Sequence, residues 1–235
     1  MNVVSVMAHQ DDEMNCLGTM LKCRDRGDKL FFITVTDGSG GFVQRPDIPR
    51  EEAARIRHEE MTALSESLDA GFINLRERDE FLYDTPDLRL RLIEAIRRTR
   101  ADILFTHYHE DYNLDHTTAN SLVRQCAMLS CLNLLPMESK PLPAHPAVFL
   151  VRPHGPFIFP ASHFVDISGC EEEKIRLLKH HRSQEEAMRL ALGKGFDDLC
   201  RCPDAYWGGL VNCAFAEPFV PMRSRGAMKA AGVLP

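Results

Sequence analysis

The sequence predicts an α/β protein: a Rossmann-like, mostly parallel sheet with helices on both faces and a small irregular C-terminal extension. Two observations predict it. Short apolar runs rich in β-branched residues recur along the 235-residue chain, and amphipathic helical segments separate them. No internal repeat or low-complexity tract interrupts the alternation. Strand–helix–strand units of this kind are right-handed and build parallel sheets covered on both sides. With 44% hydrophobic and 26% charged residues, the chain can bury a full core, expected as one domain over residues 1–235.

The first strand is the apolar run at 3–7, "VVSVM". A helix follows over about 14–26, with Leu17, Met20 and Leu21 at helical spacing and Gly27 as its stop. "KLFFITVT" is the second strand and "DGSGG" the turn at its carboxyl end. From Pro49 to about 69 the pattern is a long amphipathic helix, with Glu51 and Glu52 suited to its positive start. "GFINL" reads as a short third strand. Thr85-Pro86-Asp87 opens a helix to about 100, and "DILFTH" forms the fourth strand. A helix over about 115–129, a Pro-rich linker and the fifth strand "AVFLV" come next. Ser168 and Glu171 have capping-box spacing before "EEEKIRLLKHH", and "NCAFAEPFV" suits a late edge strand or meander.

A net charge of -6 argues against a nucleic-acid or anionic-membrane partner, both of which need a concentrated positive surface. A small-molecule ligand is expected, and a homo-oligomer is compatible with the sequence. Met1 runs into the first strand without a basic leader segment, and no apolar run approaches the roughly 20 residues of a bilayer span, so a cytoplasmic location is expected. The eight cysteines are scattered, mostly within apolar stretches. They read as reduced core thiols, with Cys200 and Cys202 the one pair spaced for a redox or metal role.

Polar residues crowd at two strand ends: "AHQDDE" after the first strand and "HYHEDYNLDH" after the fourth. In a doubly wound sheet these strands are neighbours, so the two clusters should meet at the ligand-binding edge. His9 and Asp12, three residues apart, share one face if the chain turns into helix there. With His116 they make two nitrogens and one oxygen, a set that suits zinc with a position left for water. Iron(II) is served by the same donors. Asp11, beside a ligand without being one, is then placed to take a proton from that water.

These segments resemble the PIG-L/LmbE-like family of zinc-dependent N-acetylglucosamine deacetylases, whose hallmarks are A-H-P-D-D-E after the first strand and a later H-x-D-H. Here they read "AHQDDE" and "NLDH", with "TVTDGSGG", "RHEE", "RDEFL", "HHRSQ" and "AFAEPF" in support. The resemblance implies His9, Asp12 and His116 as metal ligands and Asp11 as general base. It implies Asp115 as the carboxylate that orients or tunes its neighbours, and Arg57 and Asp79 as contacts to sugar hydroxyls. It has two departures. Gln10 replaces the proline, and Asn113 replaces a histidine that stabilises the oxyanion or protonates the leaving amine. Asn113 can donate a hydrogen bond to an oxyanion but cannot act as an acid. That leaves Asp11, His107, His109, His154 and His181 as groups for proton delivery. The expected activity is removal of acetate from the 2-acetamido group of an amino sugar or glycoconjugate. Two alternatives stand beside it: a hydrolase of a non-sugar amide or longer N-acyl chain, and a non-catalytic metal-containing module that binds a sugar or protein.

Overall fold

Side-chain alternation along the strands divides the core in two. In β1 (Asn2–Met7), β2 (Lys29–Thr36), β4 (Ile103–Thr106) and β5 (Ala147–Val151), one set of residues includes Val3, Met7, Phe32, Phe105 and Phe149. It packs with Leu17, Met20, Met61, Leu64, Leu178 and Phe196 from the helices on that side. The residues between them, including Val4, Val6, Ile33, Leu104 and Leu150, face the other way onto Leu92, Ile96, Leu122 and Val123. A period of two on a sheet covered twice produces near-continuous apolar runs, which is how these strands read in the sequence. Each such side chain contributes about 1.5–3 kcal/mol on burial.

The computed structural model describes residues 1–223 and 234–235. With β3 (Gly71–Glu77), β6 (His163–Asp166) and β7 (Ala216–Pro221), the sheet has seven strands in the order β3-β2-β1-β4-β5-β7-β6. β1 pairs in parallel with both β2 and β4, and β4 with β5. The chain therefore winds outward from β1 to β3 and then returns to start again at β4. That reversal places a crevice beyond the carboxyl ends of β1 and β4.

The helices follow their sequence signals closely. α1 (Leu17–Asp25) is preceded by a 3-10 turn (Asp12–Asn15), and Gly27 follows at φ 92°. α2 (Arg50–Ser67) begins after Pro49. α3 (Pro86–Thr99) is capped by Thr85, whose side chain accepts from the Leu88 amide at 3.2 Å. α4 (Leu114–Leu129) is capped by Asn113.

The C-terminal third departs from expectation. β7 is not an edge strand: it lies antiparallel between β5 and β6. Ser168 forms no capping box, because its Oγ donates to Asp166 at 2.6 Å and accepts the Ala214 and Phe215 amides. α5 (Glu171–Leu178) starts after Cys170 instead. α5 ends just before His180 and His181, and a further helix, α6 (Arg182–Leu192), begins beyond them. α7 (Phe196–Leu210) holds Pro203 in its interior. Proline lacks the amide that would bond Leu199, four residues back, and that carbonyl accepts from Arg152 Nη2 at 3.4 Å. Beyond Cys202 the chain completes α7 at Leu210, turns through residues 211–215 and enters β7, and residues 224–233 lie outside the described residues.

Candidate active site

Backbone pairing at the strand ends fixes the site. The Ala8 carbonyl accepts both the Thr36 amide at 2.9 Å and the Thr36 hydroxyl at 2.8 Å, tying β1 to β2. The Ala8 amide donates to His107 Nε2 at 2.9 Å, tying β1 to the segment after β4. His107 Nε2 is therefore an acceptor, and burial holds its pKa down to about 4. The neutral ring stacks on His116 with centroids 4.1 Å apart.

The chain does not run from β1 straight into helix. Asp11 sits at φ 113°, in a region that costs a residue with a side chain about 1–3 kcal/mol. The reversal brings the His9 amide to Asp12 Oδ2 at 2.8 Å. His9 and Asp12 converge through this turn rather than by sharing a helix face.

His9, Asp12 and His116 come together as the sequence implies. His9 Nδ1 is 3.2 Å from His116 Nε2 and 3.2 Å from Asp12 Oδ2, and Asp12 Oδ1 is 3.2 Å from His116 Nε2. Donors at zinc distances of about 2.0–2.1 Å in a tetrahedral shell stand about 3.3 Å apart, so these three fit such an ion. A second group, His9 with Asp79 and Asp115, is also close. Its carboxylates already have partners: Asp79 Oδ2 accepts the Gly40 amide at 2.7 Å, and Asp115 accepts the Glu80 and Leu82 amides at 2.8 and 3.0 Å. That group orients His9. Its Nε2 lies 2.9 Å from Asp79 Oδ1 and 3.4 Å from Asp115, which leaves Nδ1 as the free donor. On the far side, Asp111 Oδ2 faces His116 Nδ1 at 3.1 Å in the same manner.

The charges agree with this geometry. Burial opposes a proton on His9, yet Asp12, Asp115 and Asp79 outweigh it and raise its pKa well above the usual range. His116 is raised to about 9, with burial overcome by Asp12 and Asp111. Asp12, despite burial, is held well below the usual carboxylate range by His116, His107 and His9. The donor set collects positive charge where a cation fits.

Asp11 stays outside the donor set. Burial pushes its carboxyl up to about 6 against the pull of Arg57, whose Nη2 is 3.4 Å away. Arg57 is 2% exposed and donates to the Gln10 carbonyl, while its Nε and Nη1 have no hydrogen-bond partner. Gly38, at φ +68°, lies so close that a Cβ there would come within 2.9 Å of Arg57 Nε.

These groups line one cavity of about 580 Å³. His9, Asp11, Asp12, Arg57, Asp79, Asn113 and His116 all border it, whereas the Asp115 side chain lies behind His9. Asn113 Oδ1 is occupied as the α4 cap, accepting the Asp115 amide at 2.7 Å. Of the other histidines, His154 borders the cavity and His109 is exposed. His181 is buried against Glu13 at 2.6 Å, and Glu13 also accepts the Asp11 amide at 2.9 Å. Sequence reasoning missed Asp111 and Glu13, although both lie within the two quoted clusters. All eight cysteines are free. Cys200 is buried, with its thiol pushed up to about 12, while Cys202 is exposed.

Comparison with known proteins agrees with this architecture. N,N'-diacetylchitobiose deacetylase from Pyrococcus horikoshii, solved with an inhibitor, superposes with a TM-score of 0.80 at 22% identity, over 94% of this chain and 83% of that one. A conserved protein from Thermus thermophilus gives 0.80 at 27% identity, over 97% of each chain. The 4-carboxy-2-hydroxymuconate hydratase of Pseudomonas putida also gives 0.80, at 19% identity over 98% of this chain and 100% of that one. A deacetylase and a hydratase on one scaffold show that the fold alone does not choose the reaction. Residues 4–127, which carry both polar clusters, match the PIG-L family, described as GlcNAc-PI de-N-acetylase. The match spans more than half of the sequence, and the chain belongs to the PIG-L family.

Proposed function

We propose that this protein is a cytoplasmic, metal-dependent N-deacetylase acting, as one domain over residues 1–235, on an N-acetylglucosamine-type amino sugar or glycoconjugate. The observation that carries this reading is the set of 3.2 Å spacings among His9, Asp12 and His116 beside the uncommitted carboxylate of Asp11. Those three residues would hold Zn2+, and the same donors serve Fe2+. When bound, the ion supplies a Lewis acid that polarises an amide carbonyl and lowers the pKa of water from about 15.7 to near 7.

The remaining chemistry belongs to the chain. Asp11 takes the proton as water adds to the carbonyl carbon, and returns it to the nitrogen as the C–N bond breaks, yielding acetate and the amine. Asp79 and Asp115 hold the His9 ring, and Asn113 offers its amide N–H at the cavity. Arg57 holds Asp11 in place and borders the cavity, where a guanidinium suits a sugar hydroxyl. Family membership favours amide hydrolysis over hydration.

A second reading keeps the hydrolysis and lengthens the acyl group, because Met14, Met188, Leu192 and Leu199 give the cavity an apolar wall. A purely binding module would have no use for a strained, unligated carboxylate at Asp11. The test is acetate release from a panel of N-acetylated amino sugars by metal-stripped protein reloaded with zinc, beside His116→Ala. Release that needs both zinc and His116 is expected. Stoichiometric zinc binding with no release from any sugar would sink the deacetylase reading.

A further inference from the structure

Water adding to an amide leaves negative charge on the carbonyl oxygen, and a preorganised N–H donor there is worth a large part of the rate. Asn113 borders the cavity with its Oδ1 held by the Asp115 amide at 2.7 Å, which leaves its Nδ2–H groups as one candidate donor. The loop after β5 brings a second candidate. β5 lies beside β4 in the sheet, so its carboxyl end opens next to the segment that carries His116. His154 borders the cavity from that loop, with its ring centroid 6.0 Å from that of His116. This position lies beyond residues 4–127, the part of the chain matched to the family.

One backbone contact and one ring contact hold His154. Its backbone amide donates to Asp111 Oδ2 at 3.4 Å, the same oxygen that faces His116 Nδ1. Its Nε2 accepts from Asn15 Nδ2 at 3.1 Å. A neutral imidazole that accepts at Nε2 carries its proton on Nδ1. A neutral imidazole is a hydrogen-bond donor that does not give up its proton.

We infer that His154 is a catalytic residue of this chain, with Nδ1–H donating to the substrate's carbonyl oxygen as water adds. The assignment rests on the amide-hydrolysis reading above. In the step the water oxygen bonds to the carbonyl carbon, the C=O π pair moves onto the oxygen facing His154, and the water proton goes to Asp11. On collapse the pair returns, the C–N bond breaks and nitrogen takes the proton from Asp11. His154 neither gains nor loses a proton.

The experiment compares zinc-loaded wild type, His154→Leu, His154→Gln and Asn113→Ala for kcat and KM on N,N'-diacetylchitobiose and on the same sugar panel. Bound zinc and melting temperature are measured for each. The expected result is a fall in kcat of about 10²–10³-fold for His154→Leu. KM should stay within a few-fold, zinc stoichiometry should be unchanged, and the Gln variant, which keeps an N–H, should recover part of the rate. Three results overturn the assignment: a His154→Leu kcat within a few-fold of wild type, loss of zinc in that variant, or a comparable fall in Asn113→Ala alone. A wild type silent on every substrate removes the hydrolase reading and this assignment with it, and it is recognised because the unmutated protein itself fails.

Discussion

His181 Nε2 and Glu13 Oε1 meet at 2.6 Å with side chains 0% and 1% exposed, 168 residues apart in sequence. Through its other oxygen Glu13 receives the Asp11 amide, so the pair braces the left-handed turn that aims the proposed base. Removing one partner leaves the other's buried polar group without its hydrogen bond, at a cost of about 1–3 kcal/mol. His181→Ala should therefore lower the melting temperature sharply. Glu13→Gln should fold better yet lower kcat more than KM, because the amide keeps one acceptor oxygen but cannot accept through both positions, as Glu13 does at His181 and the Asp11 amide. A Glu13→Gln variant with wild-type kcat would separate the pair from the site.

Asp111 should govern metal affinity without touching the metal. Its carboxylate faces His116 Nδ1, and loss of such an outer partner typically weakens binding by about 10–100-fold. Asp111→Asn is expected to need correspondingly more free zinc for half-saturation in a chelator competition. Unchanged zinc affinity would show that the α4 scaffold alone orients His116.

Metal-free protein should show His116 in its pH dependence. Its pKa is 6.5 when unperturbed and about 9 in the fold, so the folded chain holds the proton more tightly. The resulting stability is complete below about 6.5 and is lost as pH rises through about 9. The difference in melting temperature between chelator-treated wild type and His116→Gln should shrink from pH 6.5 to 9.5. Zinc added to unbuffered protein near neutral pH should release protons, since its imidazole donors must bind as neutral rings. A constant difference and no proton release would contradict the charge distribution described for His9 and His116.

Glu171 should be a point of easy stabilisation. It is 1% exposed, neither oxygen accepts a hydrogen bond, and burial pushes its pKa to about 7 despite Lys174. The fold prefers the protonated acid, so stability falls as pH rises from about 4.5 to 7 and the cost is full above that. Glu171→Gln is expected to gain on the order of 1–3 kcal/mol at pH 8 and little at pH 4.5. Urea unfolding at the two pH values reads the difference directly.

Much of this site was legible because its signals are local. The pattern of apolar runs placed β1 and β4, and the crowded segments at their ends placed His9, Asp11, Asp12 and His116 before any coordinates. What was not legible depends on distant pairings. Nothing near Glu13 announces His181, and nothing near β5 says that β7 pairs with it antiparallel. Ser168 failed as a cap for a similar reason: its hydroxyl was claimed by Asp166 and by two amides more than forty residues away. The spacing at Ser168 offered a local partner, and tertiary contacts outcompeted it.

Pro203 has the opposite character. It forfeits one bond inside α7, and the carbonyl it strands is the one that receives Arg152, two residues before His154. Alanine there would be the better helix former and would reclaim that carbonyl. The guanidinium, whose Nε already lacks a partner, would then lose its hold on the helix. At this position the residue that suits the helix least is the one that fastens the neighbouring loop, so a sequence optimised for helicity alone would slacken the very segment on which His154 is carried.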